Sequence, residues 1–131
     1  MNILLVENNH IIRKTTRDWL VDDGHSVDLY LPERMPSITP EVTSRKNTSA
    51  LVALARAYDA LILDRETFGI DGKRFIAAVE ILRVADYTGK LIATTTLGLF
   101  AQPEKEKFGN YIRWLEKPYR MRLLEAELKR K

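Results

Sequence analysis

The chain has 131 residues, a length that fits one compact domain with its own hydrophobic core. Hydrophobic residues make up 45% of it and charged residues 30%, and no apolar run reaches the length of a membrane span. Cysteine is absent, which excludes disulfides and thiolate metal sites, and two histidines are too few to hold zinc alone. The chain opens directly on strand-like residues, so we expect no signal peptide and a cytoplasmic protein.

The net charge is +3, and the basic residues are concentrated late in the chain. From Phe100 onward there are nine lysines and arginines against five acids. A surface of this kind suits an acidic partner. No DNA-binding motif accompanies it, so direct binding to nucleic acid is not expected.

Apolar runs flank a helical pattern at the start of the chain. NILLV predicts a strand that ends on Glu7-Asn8-Asn9. Helical spacing from about 9 to 23, which Gly24 ends, predicts a helix with the inward face Ile12, Thr16, Trp19 and Leu20. The alternation in SVDLYL predicts a half-buried second strand.

Residues 32–47, PERMPSITPEVTSRKN, interrupt this alternation. Three prolines and several Ser, Thr and Asn residues predict an irregular loop insertion that is longer than most connections. Helical spacing returns from Thr48, with the predicted inward face Leu51, Leu54, Ala55 and Tyr58.

The rest of the chain repeats the strand–helix alternation three times. ALIL predicts a third strand ending at Asp64, KLIATTT a fourth, and YIRWLE a fifth. Helical spacing follows each strand, at Phe75, Ala78, Val79 and Leu82, at 103–108, and at Met121, Leu124 and Leu128. Five strands alternating with five helices predict a doubly wound α/β fold, a parallel sheet with helices on both faces. No linker divides the chain, so we expect a single domain over 1–131.

Polar residues follow four of the predicted strands. Glu7 and Asn8 follow the first, Asp64 the third and Lys117 the fifth, while Thr94, Thr95 and Thr96 close the fourth. In an open parallel sheet, ligands bind beyond the carboxyl ends of the strands. Carboxylates, hydroxyls and an ammonium group would therefore share one crevice.

Together and with their spacing, these residues resemble the receiver domain of two-component response regulators. YDALILDRETFGIDG is similar to the receiver's third strand and following loop, with Gly72 eight positions after Asp64. LIATTT and YIRWLEKPY are similar to the fourth and fifth strands, and the intervals from Asp64 to Thr95 and from Thr95 to Lys117 fit the family. The resemblance implies the flavodoxin-like strand order 2-1-3-4-5.

The resemblance also implies a function and partners. Asp64 would be the phosphoacceptor, Thr95 and Lys117 would contact the phosphoryl group, and Trp114 stands where the family often has a switch aromatic. A sensor histidine kinase or phosphotransfer protein would supply the phosphoryl group. A downstream protein partner would then receive the signal. A homodimer would use the fourth helix, fifth strand and fifth helix, and the Lys117-Pro118 bond would be cis.

The resemblance implies a Mg²⁺ site that is atypical in its acidic pair. The ligands would be Glu7, Asp64 and the backbone carbonyl of Glu66, with the carboxylate of Glu66 as a further candidate. Asn8 replaces the second acid of the pair, and its amide carries no charge, so we expect it to be a weak ligand and magnesium binding to be weak or absent. Asn9 is expected to cap the first helix, and His10 to lie on the surface.

Three functions remain open at this stage. The first is a signalling receiver, not an enzyme, that is phosphorylated at Asp64. Asn8, Arg65 and Phe68 depart from the family pattern and favour a degenerate pseudo-receiver that binds a partner without phosphate. LILDRETF also has the look of the opening motif of haloacid-dehalogenase-type phosphatases, but 67 residues (131 less 64) follow Asp64, too few for that core. No output domain is expected in this chain.

Overall fold

The structure, a computed structural model, describes residues 1–30, 45–69 and 71–130. In these residues five strands alternate with five helices: β1 Asn2–Val6, α1 His10–Asp22, β2 Ser26–Leu29, α2 Arg45–Arg56, β3 Ala60–Asp64, α3 Lys73–Val84, β4 Lys90–Thr95, α4 Gln102–Phe108, β5 Arg113–Glu116 and α5 Met121–Lys129. Short 3-10 helices, Arg65–Phe68 and Gly109–Tyr111, precede α3 and β5. No helix of this part of the chain is long and apolar enough to cross a membrane.

The five strands form one parallel sheet in the order β2-β1-β3-β4-β5, which confirms the predicted α/β fold and strand order. Val6 pairs with Leu63 in register, so β1 and β3 end side by side. Asp64 pairs with Thr94 of the next strand. The register therefore brings the polar ends of β1, β3 and β4 to one edge of the sheet.

Helices cover both faces of the sheet because successive strand residues point to opposite sides. One face joins the sheet to α2, α3 and α4 through Leu4, Leu61, Leu63, Leu51, Phe75, Val79 and Phe108. The other joins it to α1 and α5 through Ile3, Leu5, Ile62, Leu20, Leu124 and Leu128. Each fully buried Leu, Ile or Phe contributes about 1.5–3 kcal/mol. This core holds the strand ends rigidly in place.

Three predicted element boundaries are wrong by two or three residues. The helix α2 begins at Arg45 instead of Thr48, and the remainder of the predicted 32–47 loop lies outside the described residues. The strand β2 ends at Leu29, with Leu31 outside the described residues. The strand β5 begins at Arg113, later than predicted, because the preceding residues form a 3-10 helix.

The inward face predicted for α1 is also partly wrong. Thr16 and Leu20 are buried as predicted, but Trp19 is 43% exposed. Its indole Nε1 donates a hydrogen bond of 2.9 Å to Glu125 of α5. Trp19 therefore lies at the rim of the contact between α1 and α5, where its ring can cover apolar surface while its N–H reaches a polar partner.

Candidate functional site

Glu7, Asp64 and Lys117 meet at the carboxyl edge of the sheet, and we call them the Lys117 triad. They end or directly follow β1, β3 and β5, respectively. The Nζ atom of Lys117 lies 2.8 Å from Oδ1 of Asp64 and also forms an ion pair with Oε1 of Glu7. Their side chains are 3% (Glu7), 5% (Asp64) and 7% (Lys117) exposed. The next peptide bond, Lys117-Pro118, is cis.

Burial shapes the charges of this triad. Burial raises the pKa of Glu7 above its ordinary value, and the nearby charge of Asp64 adds to this effect, while the hydrogen bond from Lys117 opposes it. Burial alone would lower the pKa of Lys117, but hydrogen bonds to Asp64 and Glu7 outweigh it and raise the pKa. Lys117 therefore remains an ammonium ion, a permanent positive charge beside the Asp64 carboxylate.

Both oxygens of Asp64 have hydrogen-bond donors. Oδ1 accepts from the Thr94 hydroxyl at 3.4 Å in addition to its contact with Lys117. Oδ2 accepts from the N–H of Thr67 at 3.1 Å and from its hydroxyl at 2.6 Å. Asp64 is thus the N-cap of the 3-10 helix 65–68. The sequence analysis did not predict the contacts of Thr67 or Thr94, although Asp is a preferred N-cap residue that accepts from a backbone N–H two or three positions on.

Thr95, expected to face a phosphoryl group, donates its hydroxyl to Oε2 of Glu66 at 2.8 Å. Oε1 of Glu66 accepts from the N–H of Thr96 at 2.6 Å and from its hydroxyl at 3.0 Å. Burial would raise the pKa of Glu66, but these hydrogen bonds and the charge of Arg65 together lower it. The carboxylate of Glu66 is therefore directed at β4, and its backbone carbonyl accepts from the N–H of Gly69 at 3.1 Å.

A second group of two acids and a base, with Glu66 half-buried, follows β3. Arg65 donates from Nε to Oε1 of Glu104 at 2.8 Å, and its Nη2 lies 2.8 Å from the same oxygen. Its Nη1 lies 3.5 Å from Oε2 of Glu66. Arg65 and Glu104 are each 2% exposed. We call Arg65, Glu66 and Glu104 the Arg65 triad.

Gly72 makes room for the Arg65 triad. It is the N-cap of α3 and has a φ of 77°, in the left-handed region that favours glycine. A Cβ atom at this position would overlap the carboxylate of Glu104 and the guanidinium of Arg65. A glycine at this position therefore allows the buried side chains of Arg65 and Glu104 to approach the backbone.

Asn9 caps α1, as the sequence predicts. Its Oδ1 accepts from the N–H groups of Ile11 at 3.0 Å and Ile12 at 3.1 Å. The neighbouring Asn8 is exposed, and its backbone N–H donates to the Thr67 hydroxyl at 3.0 Å. The turn after β1 is therefore joined to the turn after β3, with Asn8 exposed at the carboxyl edge of the sheet.

The donor chemistry of this edge fits a magnesium ion, though few of its ligands are acids. Glu7 and Asp64 are two carboxylates, Glu66 offers a carbonyl, and Asn8 an amide; Mg²⁺ is often held by one or two carboxylates and waters. In residues 1–30, 45–69 and 71–130, no three His, Cys, Asp or Glu residues form a metal-binding group. The Lys117 ammonium already contacts both carboxylates, so a cation here would compete with it.

Trp114 joins β5 to the helices of one face. Its ring centroid lies 5.5 Å from that of Phe75 in α3, and Nζ of Lys105 in α4 lies 5.7 Å from it. Its indole N–H is buried without a hydrogen-bond partner among the residues that the structure describes. Trp114 therefore lies between β5, α3 and α4.

Comparison with solved structures identifies the fold. The receiver domain of a sensor histidine kinase from Pseudomonas aeruginosa, solved with magnesium in its active site cleft, is 22% identical with a TM-score of 0.65, covering 98% of this chain and 93% of that chain. A CheY-like receiver domain from Methylobacillus flagellatus is 23% identical with a TM-score of 0.64, covering 98% and 96%. A receiver protein from Sinorhizobium medicae is 17% identical with a TM-score of 0.65, covering 98% and 90%. No protein-family model and no curated protein matches the chain.

Proposed function

We propose that this chain, which has the fold of response regulator receiver domains, accepts a phosphoryl group at Asp64 from a histidine kinase or phosphotransfer protein. The observation that supports this most is the 2.8 Å contact between the Lys117 ammonium and the Asp64 carboxylate at the end of β3. A downstream protein, or a second copy of the chain, would bind the face formed by α4, β5 and α5. The role is signalling, with one phosphoryl group per chain.

The chemistry requires little beyond positioning and charge. A carboxylate oxygen of Asp64 attacks the phosphorus of a phosphohistidine; the new O–P bond forms while the P–N bond breaks, and the imidazole leaves with the electron pair. Lys117 stabilises the charge on the phosphoryl oxygens. Mg²⁺, when bound, would neutralise further phosphoryl charge; Glu7, Asp64 and the Glu66 carbonyl would hold it, with Asn8. The phosphoryl group of the product carries roughly 1.5–2 negative charges in place of the single charge of the carboxylate, and the partner can read this change.

Intact mass spectrometry with Mg²⁺ and acetyl phosphate tests this function. We expect one phosphoryl adduct on the wild type and none on Asp64→Asn. The matched control is Asp71→Asn, because Asp71 is an exposed aspartate of the same loop that accepts a hydrogen bond from the N–H of Lys73, two residues on. Asn8→Asp adds an acid at the crevice mouth and is expected to increase the adduct. Absence of an adduct on both the wild type and Asn8→Asp would contradict phosphoacceptance.

A phosphorylation-independent interaction module is the second candidate. It is favoured by the saturation of Asp64, whose oxygens already accept hydrogen bonds from Thr67 and Thr94 and contact Lys117. Asp64→Asn distinguishes the two functions in cells. If signalling output persists in this variant, the module is supported; if output collapses while Asp71→Asn behaves as the wild type, phosphoacceptance is supported.

A further inference from the structure

The donors around Glu66 form a site for an oxyanion. Thr95 contributes a hydroxyl at 2.8 Å, and Thr96 an N–H at 2.6 Å and a hydroxyl at 3.0 Å. Thr95 ends β4 and Thr96 directly follows it, so the donors come from consecutive residues at the carboxyl end of one strand. The Arg65 guanidinium, with Nη1 3.5 Å from Glu66, adds positive charge. Such a set of donors suits a carboxylate or a phosphate oxygen equally.

We infer that Glu66 is a tethered occupant of this oxyanion site, a carboxylate of the chain itself that fills the donors of Thr95 and Thr96 in the unphosphorylated protein. Three hydrogen bonds hold this one side chain, whose exposed fraction is 18%. The side chain of Glu66 therefore has a role as a positioning residue, in place of a metal ligand.

The tether is short and firmly held. Glu66 follows Asp64 by two residues within the 3-10 helix that Asp64 caps. Its neighbour Arg65 is anchored by the buried contact with Glu104 of α4. Because the carboxylate is covalently attached near its donors, it competes with any external anion at a high effective concentration, on the order of millimolar for a short linker.

One consequence rests on the proposed function. A phosphoryl group on Asp64 would need the Thr95 hydroxyl that Glu66 already holds, so phosphorylation would have to displace Glu66 before Thr95 could contact phosphate. Thr95 is further held by the N–H of Leu97, which donates to its hydroxyl oxygen at 2.9 Å. In the unphosphorylated chain, the Thr95 hydroxyl is therefore already hydrogen-bonded to both Glu66 and the N–H of Leu97.

Two-dimensional nitrogen–proton NMR of the full chain tests the occupant directly, with inorganic phosphate as the probe. In Glu66→Ala the Thr96 amide resonance is expected to move upfield, because it loses a hydrogen bond to a carboxylate. Added phosphate is then expected to return it toward its wild-type position in a saturable manner, with at least ten-fold tighter apparent binding than to the wild type. Glu66→Gln keeps the shape without the charge and is expected to bind phosphate less tightly than Glu66→Ala.

Glu106→Ala is the matched control, because it removes the same charge from an exposed position of α4. It is expected to leave the Thr96 amide and the phosphate response unchanged. An unmoved Thr96 amide in both Glu66 variants would overturn the proposal, as would equal phosphate binding by wild type and variants, or no binding by any of them. The titration needs neither a phosphodonor nor a metal, so its outcome is separate from whether Asp64 is phosphorylated.

Discussion

The two triads share one arrangement, a basic side chain between two acidic ones, but they are assembled from different parts of the fold. In the Lys117 triad a lysine lies between Glu7 and Asp64; in the Arg65 triad an arginine lies between Glu66 and Glu104. The first is assembled from the ends of three strands, whereas the second joins the turn after β3 to α4.

The Lys117 triad is thus explained by the fold, whereas the Arg65 triad is explained by particular residues of this chain. The Lys117 triad follows from strand order, since parallel strands deliver their carboxyl ends to one edge. The Arg65 triad depends on one loop arginine, one helix acid and the absence of a side chain at Gly72. We therefore expect the Lys117 triad to govern phosphoryl chemistry and the Arg65 triad to govern how the acceptor loop is coupled to α4.

The largest expected effect comes from removing the base of each triad. Arg65→Met leaves the Glu104 carboxylate buried without its partner and is expected to lower the free energy of unfolding by about 3–5 kcal/mol. Lys117→Met is expected to cost less, because Asp64 keeps its donors from Thr67. Urea denaturation followed by circular dichroism measures both.

Lys107→Met serves as the control for this comparison. Lys107 pairs with Glu80 at 2.7 Å, but both side chains are more than 40% exposed (44% and 43%), so we expect a loss of only about 0–1 kcal/mol. The double variant Arg65→Met/Glu104→Leu is expected to recover much of the stability lost in Arg65→Met. A double variant as unstable as the single one would show that Glu104 is not the carboxylate that needs Arg65.

A smaller loss of stability is expected from removing one hydroxyl donor to an acid of each triad. Thr67→Val takes a donor from Asp64, and Thr95→Val takes one from Glu66. Hydrogen bonds to charged groups contribute about 1.5–3 kcal/mol, so each variant is expected to lose up to this amount in urea denaturation. Thr15→Val, at an exposed position of α1, is expected to change stability by less than about 0.5 kcal/mol. Losses no larger than that of Thr15→Val would show that these hydroxyls do not support the triads.

The smallest expected effect is that the contributions of Glu7 and Glu66 to stability change in opposite directions with pH. Glu7 has a folded pKa above its ordinary value of 4.5, so its contribution to stability is present in full below pH 4.5 and is lost as the pH rises through the folded pKa. Glu66 has a folded pKa below 4.5, so its contribution is present above pH 4.5 and is lost as the pH falls through the folded pKa.

Glutamine does not titrate, which makes the comparison measurable. As the pH rises, the free energy of unfolding of Glu7→Gln is expected to increase relative to that of the wild type. That of Glu66→Gln is expected to decrease relative to that of the wild type. Urea denaturation at a series of pH values gives both differences. Two differences that change in the same direction would mean that the carboxylates share one environment, contrary to the hydrogen bonds described above.

Much of the fold could be predicted because it depends on local patterns. Apolar runs or a polar–apolar alternation of strand length indicated all five strands, and the residues Phe75, Ala78, Val79 and Leu82 are buried in α3 as their spacing predicts. Trp19 was misplaced because spacing alone does not locate the edge of a helix contact.

The site could be predicted only where it follows from strand ends. Glu104 gave no signal, because it contacts Arg65 across 39 positions and a charged helix residue is ordinarily exposed. The hydrogen bond between Glu66 and Thr95 likewise could not be predicted from the sequence, because it depends on the path of the loop after β3. The backbone contact of Thr67 differs from these two, because Asp is a preferred N-cap residue and Thr67 lies three positions after Asp64.

The surroundings of Trp114 give the chain its own optical reporter. The chain has two tryptophans, and the other, Trp19, is 43% exposed on α1. In a Trp19→Phe variant all indole fluorescence would come from Trp114, which lies against Phe75 and beneath the ammonium of Lys105 on α4. Any rearrangement that carries Lys105 away from the ring would change the emission, so movement of α4 can be followed in real time without a label.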